Sequence, residues 1–478
     1  MDLSERLRAI PAWPFLSAAS LAILASAPAQ YLGRQQDDLI YFIAARALTL
    51  GHYYLLTSPL RIPLTMANPG LPAILAPLIL LFGANPGVCQ CFCALLLATT
   101  PWVLWLWLRR RHGHWIALFI SLLFGLSPIV LSQAGTLMSE APFFLFTLLL
   151  LLSLENKESG ARSGFLLFAV TQIRSSGLAF LPGAASRSWQ EGNWRKSLWI
   201  TVPALAGFVL WSLWSWHAAG ALQKTQELAL SYAGRFWSLL PSVVWGNARY
   251  YLSAWGSSYM PQGWAPAGGP ALGCVLAVLA LRGAVVILHR RPTDPAVWML
   301  AGFMALHLIW PWHYDRYLLV PLPFLLDCAA SALKRRWIAP VLLALLAGQT
   351  AFQSPRWMEG TSWSKVEMAQ TYSWLRAHSH RQDVLSSAFY VRDGYYARRP
   401  SLPLPGPASP QELANDMKKY RIRFILWQSG LDLGLSLGKS AAVRGMLEGL
   451  SRDLNDKRLF RAIYKNPAEH SRIYVLKA

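Results

Sequence analysis

The chain has 478 residues, of which 54% are hydrophobic and only 14% charged, against roughly a quarter charged in an ordinary soluble protein. The apolar residues gather in runs such as FCALLLATTPWVLWLWL and FFLFTLLLLLSL, long enough for a bilayer; this excludes disordered, collagenous and disulfide-framework classes and leaves a polytopic membrane protein. The 44 Lys and Arg against 23 Asp and Glu give a formal charge of +21, which reads mostly as cytoplasmic loops and otherwise as attraction to anionic lipid or a phosphate-bearing substrate; no nucleic-acid motif accompanies it.

In chain order, Arg6 and Arg8 place the N-terminus in the cytoplasm. Residues 1–28 have the outline of a signal peptide, but Pro28 follows the would-be cut, so 13–31 is read as a retained first span. The apolar run 71–83 reaches about 20 Å as a helix, short of a core of about 30 Å, so it is expected to lie along the membrane or re-enter. That choice puts the RRRHGH cluster after span 88–108 in the cytoplasm. Spans 115–131 and 136–154 follow, the second returning to Lys157 and Arg162. Basic loops flank 164–185 on both sides, which predicts a broken hairpin with Arg174 near its tip. Then come 197–217, 267–288, 295–312, 317–333 and 337–353, about eleven crossings that keep every basic cluster on one side.

The expected organisation is a helical membrane module over 1–353, with external loops at 32–87 and 218–266, and a small extracytoplasmic α/β domain over 354–478. The tail has helix-like stretches at 364–377, 409–419 and 440–455. Between them lie the β-rich strings DVLSSA, FILWQS, LFRAIY and RIYVL. It carries 20 Lys and Arg against 11 Asp and Glu. The positive-inside rule does not explain such a charge on an external domain; phosphate headgroups or an anionic acceptor would, and so would an ordinary solvated surface. The five cysteines, at 89, 91, 93, 274 and 328, read as buried helix residues rather than as a metal or disulfide pattern.

Chemistry-bearing residues stand out against this background. Asp37 and Asp38 follow the first span and open an amphipathic helix with Tyr41 and Arg46. Such a pair supplies a general base, since a nearby apolar surface makes one carboxylate a better proton acceptor; it also suits a helix N-terminus. Glu140 begins an otherwise apolar span, where an ionisable residue is costly and usually functional. Arg174 interrupts an apolar hairpin and needs an anion, either a phosphate or a structural partner such as Glu140. Asp315 and Arg316 either pair with each other or meet a phosphate. Asp327 is read as a helix-to-helix partner. His52 and His313 lack metal-ligand spacing, and no P-loop motif is present. The Trp residues are mostly interfacial anchors.

The order of these features resembles the GT-C glycosyltransferases. It is most similar to the polyprenyl-phosphate-sugar-dependent transferases, the dolichyl-phosphate-mannose protein mannosyltransferase-like and aminoarabinose-transferase-like family. The matching strings are DDLIYFIAARALTLG, NPGLPAILAPLILLFG, GLSPIVLS, the SE that opens a span, IRSSGLAFLPG and RYLLVPLPFLL. Each is loose alone, but their order across residues 31–325 is fairly specific.

The resemblance implies a mainly α, polytopic enzyme of the inner membrane that glycosylates a cell-envelope acceptor by inversion. The donor would be a lipid-linked sugar on polyprenyl phosphate, and the acceptor hydroxyl would belong to a glycan, lipid or protein. It makes Asp37 the catalytic base, Asp38 its support and Glu140 the second acid. Arg174 and Arg316 become donor-phosphate ligands, and Tyr41, His52, His313 and Tyr317 become acceptor or sugar contacts. Some relatives carry a carboxylate or His that helps bind a divalent metal where this chain has Asn68, so no metal ligand and no other cofactor is assigned. The rival reading is a secondary transporter, or a flippase or ligase for lipid-linked saccharides. The interrupted 164–185 segment fits a transporter, but no second copy of it is seen.

Overall fold

The computed structural model describes residues 11–27, 31–33, 36–155, 160–219, 236–261, 263–310, 313–358, 368–404, 409–428 and 441–477. Arg6, Arg8, Lys157 and residues 220–235, used above for topology, lie outside these. The chain forms two compact units. The first contains Asn68–His217 and Gly234–Thr361 together with the N-terminal helix; the second joins Gln30–Ala67 to Ser362–Ala478.

The first unit is helical. Among the described residues, three of its helices are long and apolar enough to cross a membrane: Pro86–His112, Trp194–Ala218 and Ala265–Arg290. Shorter apolar helices run over Trp13–Ala25, Gly70–Phe82, His114–Gly125, Pro295–Ile309 and Leu322–Ala332. The boundaries follow from local chemistry. Asn85 caps the Pro86–His112 helix by accepting from Gly87 N at 2.9 Å. Asp294 caps the Pro295–Ile309 helix by accepting from Ala296 N and Val297 N at 3.1 and 3.2 Å, with Pro295 pre-set for the first turn. Pro128 ends the expected 115–131 span early, and a short helix Pro128–Leu131 follows the break. The expected interruption near Arg174 is present: helix Gly160–Ile173 stops, Arg174 is extended (φ −148°, ψ 131°), and a 3₁₀ turn Ser175–Phe180 leads into Leu181–Gln190.

Much of the stretch expected as a long loop is instead a 22-residue helix, Phe236–Ser257. Its inward residues Asn247, Tyr251 and Trp255 are buried at successive turns. It packs on Ala265–Arg290, where a methyl on Gly273 would overlap the Leu252 carbonyl. A methyl on Gly283 would likewise overlap the Cys328 carbonyl of the Leu322–Ala332 helix. Small residues allow this close backbone approach, which is how helices gain packing where the surroundings are already apolar.

Four helices are tied together by one buried arginine. Arg111 Nη1 lies 2.8 Å from Asp294 and 3.4 Å from Glu155, and its Nη2 lies 3.0 Å from Asp327. His112 also contacts Asp327, and Trp107 Nε1 donates to Glu155 at 2.8 Å. Buried acids of this kind persist only when a cation neutralises them.

The second unit carries a five-stranded sheet of order β2-β1-β3-β5-β4. The strands are β1 Val384–Ser387, β2 Ser401–Pro403, β3 Ile422–Gln428, β4 Phe460–Asn466 and β5 Ser471–Leu476. β1 runs parallel to β2 and β3, whereas β5 is antiparallel to β3 and β4. The four β-rich strings of the sequence are β1, β3, β4 and β5; β2 and the helix Tyr390–Ala397 were not expected. Helix Asp37–Thr49 belongs to this unit and packs against Tyr390–Ala397, with Phe42 edge-on to Tyr395 at 6.4 Å between ring centres.

Candidate active site

In the first unit, Glu140 sits in the first turn of helix Glu140–Glu155 and is only 2% exposed. Burying a carboxylate without a partner is expensive, and two arginines meet that need. Arg174 Nη1 donates to Glu140 Oε1 at 2.6 Å and to Ser139 Oγ at 3.0 Å. Arg316, itself buried, brings its Nε to 3.3 Å from the same Oε1. The break in the 160–190 segment is what lets Arg174 leave the helical path, and a 3₁₀ turn Asp315–Leu318 presents Arg316. Glu140 thus holds two guanidinium groups side by side in a secluded place, a pairing of the kind that recognises oxyanions.

Aromatic rings surround the pair. Tyr317 lies under both guanidinium groups, 5.4 Å from Arg174 Cζ and 5.7 Å from Arg316 Cζ, and Tyr314 lies 4.4 Å from Arg316. Asp315 does not pair with Arg316; its Oδ1 accepts from the Tyr250 hydroxyl at 2.7 Å. His313 Nδ1 lies 2.9 Å from Asn247 Oδ1, and its ring is 4.1 Å from that of Tyr250. Asn247 Nδ2 in turn donates to the carbonyls of His307, Leu308 and Trp310, closing the end of helix Pro295–Ile309. Sequence reading missed Tyr250 and Asn247. The signal available was the spacing of Asn247, Tyr251 and Trp255 at successive helical turns.

In the second unit, the acidic pair opens helix Asp37–Thr49 and its two members differ. Asp38 is 2% exposed; its Oδ2 accepts from Gly33 N at 3.0 Å and its Oδ1 from Leu39 N at 2.8 Å. Both oxygens are therefore held by backbone donors, which fixes the turn before the helix. Asp37 is partly exposed at the same turn. Tyr41 is half-buried one turn on, and burial, with Tyr41 nearby, pushes the Tyr53 phenol well up. His52 is exposed and lies 4.9 Å from the ring of Tyr54.

The structure thus gathers Glu140, Arg174, Arg316 and Tyr317 into one cluster, with His313 on the Tyr250–Asn247 side. Asp37, Asp38, Tyr41 and His52 share one helix and the loop after it. Among the described residues no group of three or more His, Cys, Asp or Glu side chains is placed to hold a metal ion. Asn68 also has other work. Its Nδ2 donates to Thr171 O at 3.1 Å and its Oδ1 accepts from Ser175 Oγ at 3.2 Å, tying the chain to the broken helix.

No protein-family model and no curated protein matches the sequence. Solved structures do match. The archaeal oligosaccharyltransferase AglB from Archaeoglobus fulgidus, in complex with an inhibitory peptide and a dolichol-phosphate, aligns at TM-score 0.58 and 11% identity, over 98% of this chain and 74% of that one. The same oligosaccharyltransferase in complex with Zn and sulfate aligns at TM-score 0.54 and 13% identity, over 95% and 72%. ArnT from Cupriavidus metallidurans covers 97% of both chains at 14% identity with a TM-score of 0.42. Across nearly its whole length, then, the chain shares the fold of the archaeal oligosaccharyltransferase.

Proposed function

We propose that the protein is an integral membrane glycosyltransferase that moves a sugar from a polyprenyl-phosphate carrier to an acceptor hydroxyl, with inversion, at the extracytoplasmic face of the inner membrane. The observation that carries this reading is the whole-length likeness to an oligosaccharyltransferase whose structure holds dolichol-phosphate. The two arginines held side by side at Glu140 support it. In the proposed topology about eleven crossings leave the N-terminus in the cytoplasm and the C-terminal domain outside, which keeps the basic clusters inside.

Asp37 is assigned as general base. It takes the proton of the acceptor hydroxyl as that oxygen attacks the anomeric carbon and the bond from that carbon to the phosphate oxygen breaks. The electron pair leaves with the lipid phosphate, whose new charge Arg174 and Arg316 stabilise. Glu140 holds the two guanidinium groups in place, and Asp38 holds the turn that presents Asp37. Tyr41, His52, His313 and Tyr317 are assigned as sugar or acceptor contacts. Asp37→Asn keeps the shape of the side chain and removes its basicity. Transfer from a polyprenyl-phosphate sugar by the purified variant is expected to fall at least about a hundredfold, the scale of a lost general base, with unchanged thermal unfolding. Turnover within twofold of the parent would remove Asp37 from the reaction.

A further inference from the structure

The second unit contains a cavity of about 690 Å³ whose lining, among the described residues, includes Arg46, Arg376, Arg398, Arg399, Thr57 and Tyr395, and no carboxylate. We propose that this cleft binds a phosphate group, carried by a small phosphorylated saccharide or by a lipid headgroup.

The four arginines divide into two kinds. Arg399 is buried and donates to Ser379 Oγ at 2.7 Å and to the carbonyls of Arg398, Arg376 and Ser379 at 2.8–3.0 Å. Arg376 donates to Tyr396 O at 2.6 Å. These two fix the wall. Arg46 and Arg398 are exposed, and neither side chain makes a hydrogen bond or ion pair among the described residues. Arg398 caps helix Tyr390–Ala397 with a left-handed backbone (φ 55°), an uncommon conformation for a residue that carries a Cβ. Arg46 comes from the last turn of helix Asp37–Thr49.

Both line the cleft with Tyr395; burial raises the pKa of its phenol, and Arg46 and then Arg398 act in the opposite direction. Beside them, Thr57 Oγ1 is buried and has no hydrogen-bond partner among the described residues. The Thr57 carbonyl accepts from Ser401 N at 2.7 Å, which anchors that loop to β2. Guanidinium groups held together with no acid repel one another, and a phosphate relieves this through paired donors to its oxygens. A buried hydroxyl donor completes such a cradle. Leu56, Pro59 and Pro400 add an apolar part to the lining, which suits a ligand with a carbon body behind its phosphate.

The test is calorimetric titration of the full-length protein in phosphatidylcholine nanodiscs. One arm uses glucose 6-phosphate with glucose as its control; the other uses short-chain phosphatidylglycerol with short-chain phosphatidylcholine as its control. R46Q/R398Q is expected to weaken the phosphate-bearing ligand at least tenfold. R461Q/K465Q, which removes two exposed charges elsewhere on this unit, is expected to leave it unchanged. R46K/R398K keeps the charge and the fold but loses the forked donors, and is expected to fall between. Binding of glucose 6-phosphate assigns the phosphorylated saccharide as the source, and binding of phosphatidylglycerol alone assigns the headgroup. Equal affinity in parent and R46Q/R398Q, equal losses in both double variants, or no binding of either ligand would overturn the proposal. Binding is read without turnover, so its failure leaves the transferase reading untouched, and the reverse also holds.

Discussion

Adjacent aspartates at the start of one helix have opposite surroundings. Asp38 is buried and held by two backbone N–H groups, a structural task, whereas Asp37 is partly exposed at the same turn. The sequence DD marks a pair and a helix start; which member is buried depends on the path of Gly33 and on Gln36, whose positive φ of 59° no pattern announces. The arginines are similar. The need of Arg174 for an anion was legible because it interrupts an apolar run, and Glu140 was named among its partners. That Arg316 shares the same oxygen, while Asp315 turns to Tyr250, was not legible, because neighbours in sequence point to different sides of a 3₁₀ turn. Arg174→Ala leaves Arg316 to neutralise Glu140. It is expected to weaken binding of a polyprenyl-phosphate sugar by about tenfold to a hundredfold, the size of one or two charge-assisted hydrogen bonds, with little change for the acceptor. Unchanged donor affinity in a direct binding assay would make its role purely structural.

Elements were legible where they obey one strong rule. The apolar helices and the four main strands follow from hydropathy and from β-branched or aromatic content. Helix Phe236–Ser257 was missed because the 218–266 stretch, rich in Trp and Tyr, was read as an external loop, although its buried residues recur at helical spacing. Strand β2 has only 3 residues and is set by its neighbour β1 rather than by its own composition. The buried network at Arg111 shows a different limit. In RRRHGH the three arginines look alike, yet Arg111 is the one buried among Glu155, Asp294 and Asp327, residues far apart in sequence. Asp327 was read as a helix-to-helix partner, and this is the contact it makes. Arg111→Ala strands three acids in a low-dielectric place and is expected to cost about 3–5 kcal/mol of stability. Thermal unfolding in detergent checks this, and an unchanged midpoint would mean that water reaches the acids.

At the scale of the whole molecule, motif order and fold support the proposed transferase by separate routes. Motif order gave the family resemblance, and the coordinates gave the likeness to an oligosaccharyltransferase at 11% identity, where sequence matching alone finds nothing. The rival transporter class differs in one product: a transporter returns its lipid-linked saccharide intact, whereas a transferase cleaves it. The decisive measurement incubates the purified, reconstituted protein with a panel of polyprenyl-phosphate sugars and candidate acceptors, and follows free polyprenyl phosphate. Acceptor-dependent release from at least one donor, absent in Asp37→Asn, is the expected result. Movement of the intact donor across the bilayer with no cleavage of any member of the panel would contradict it.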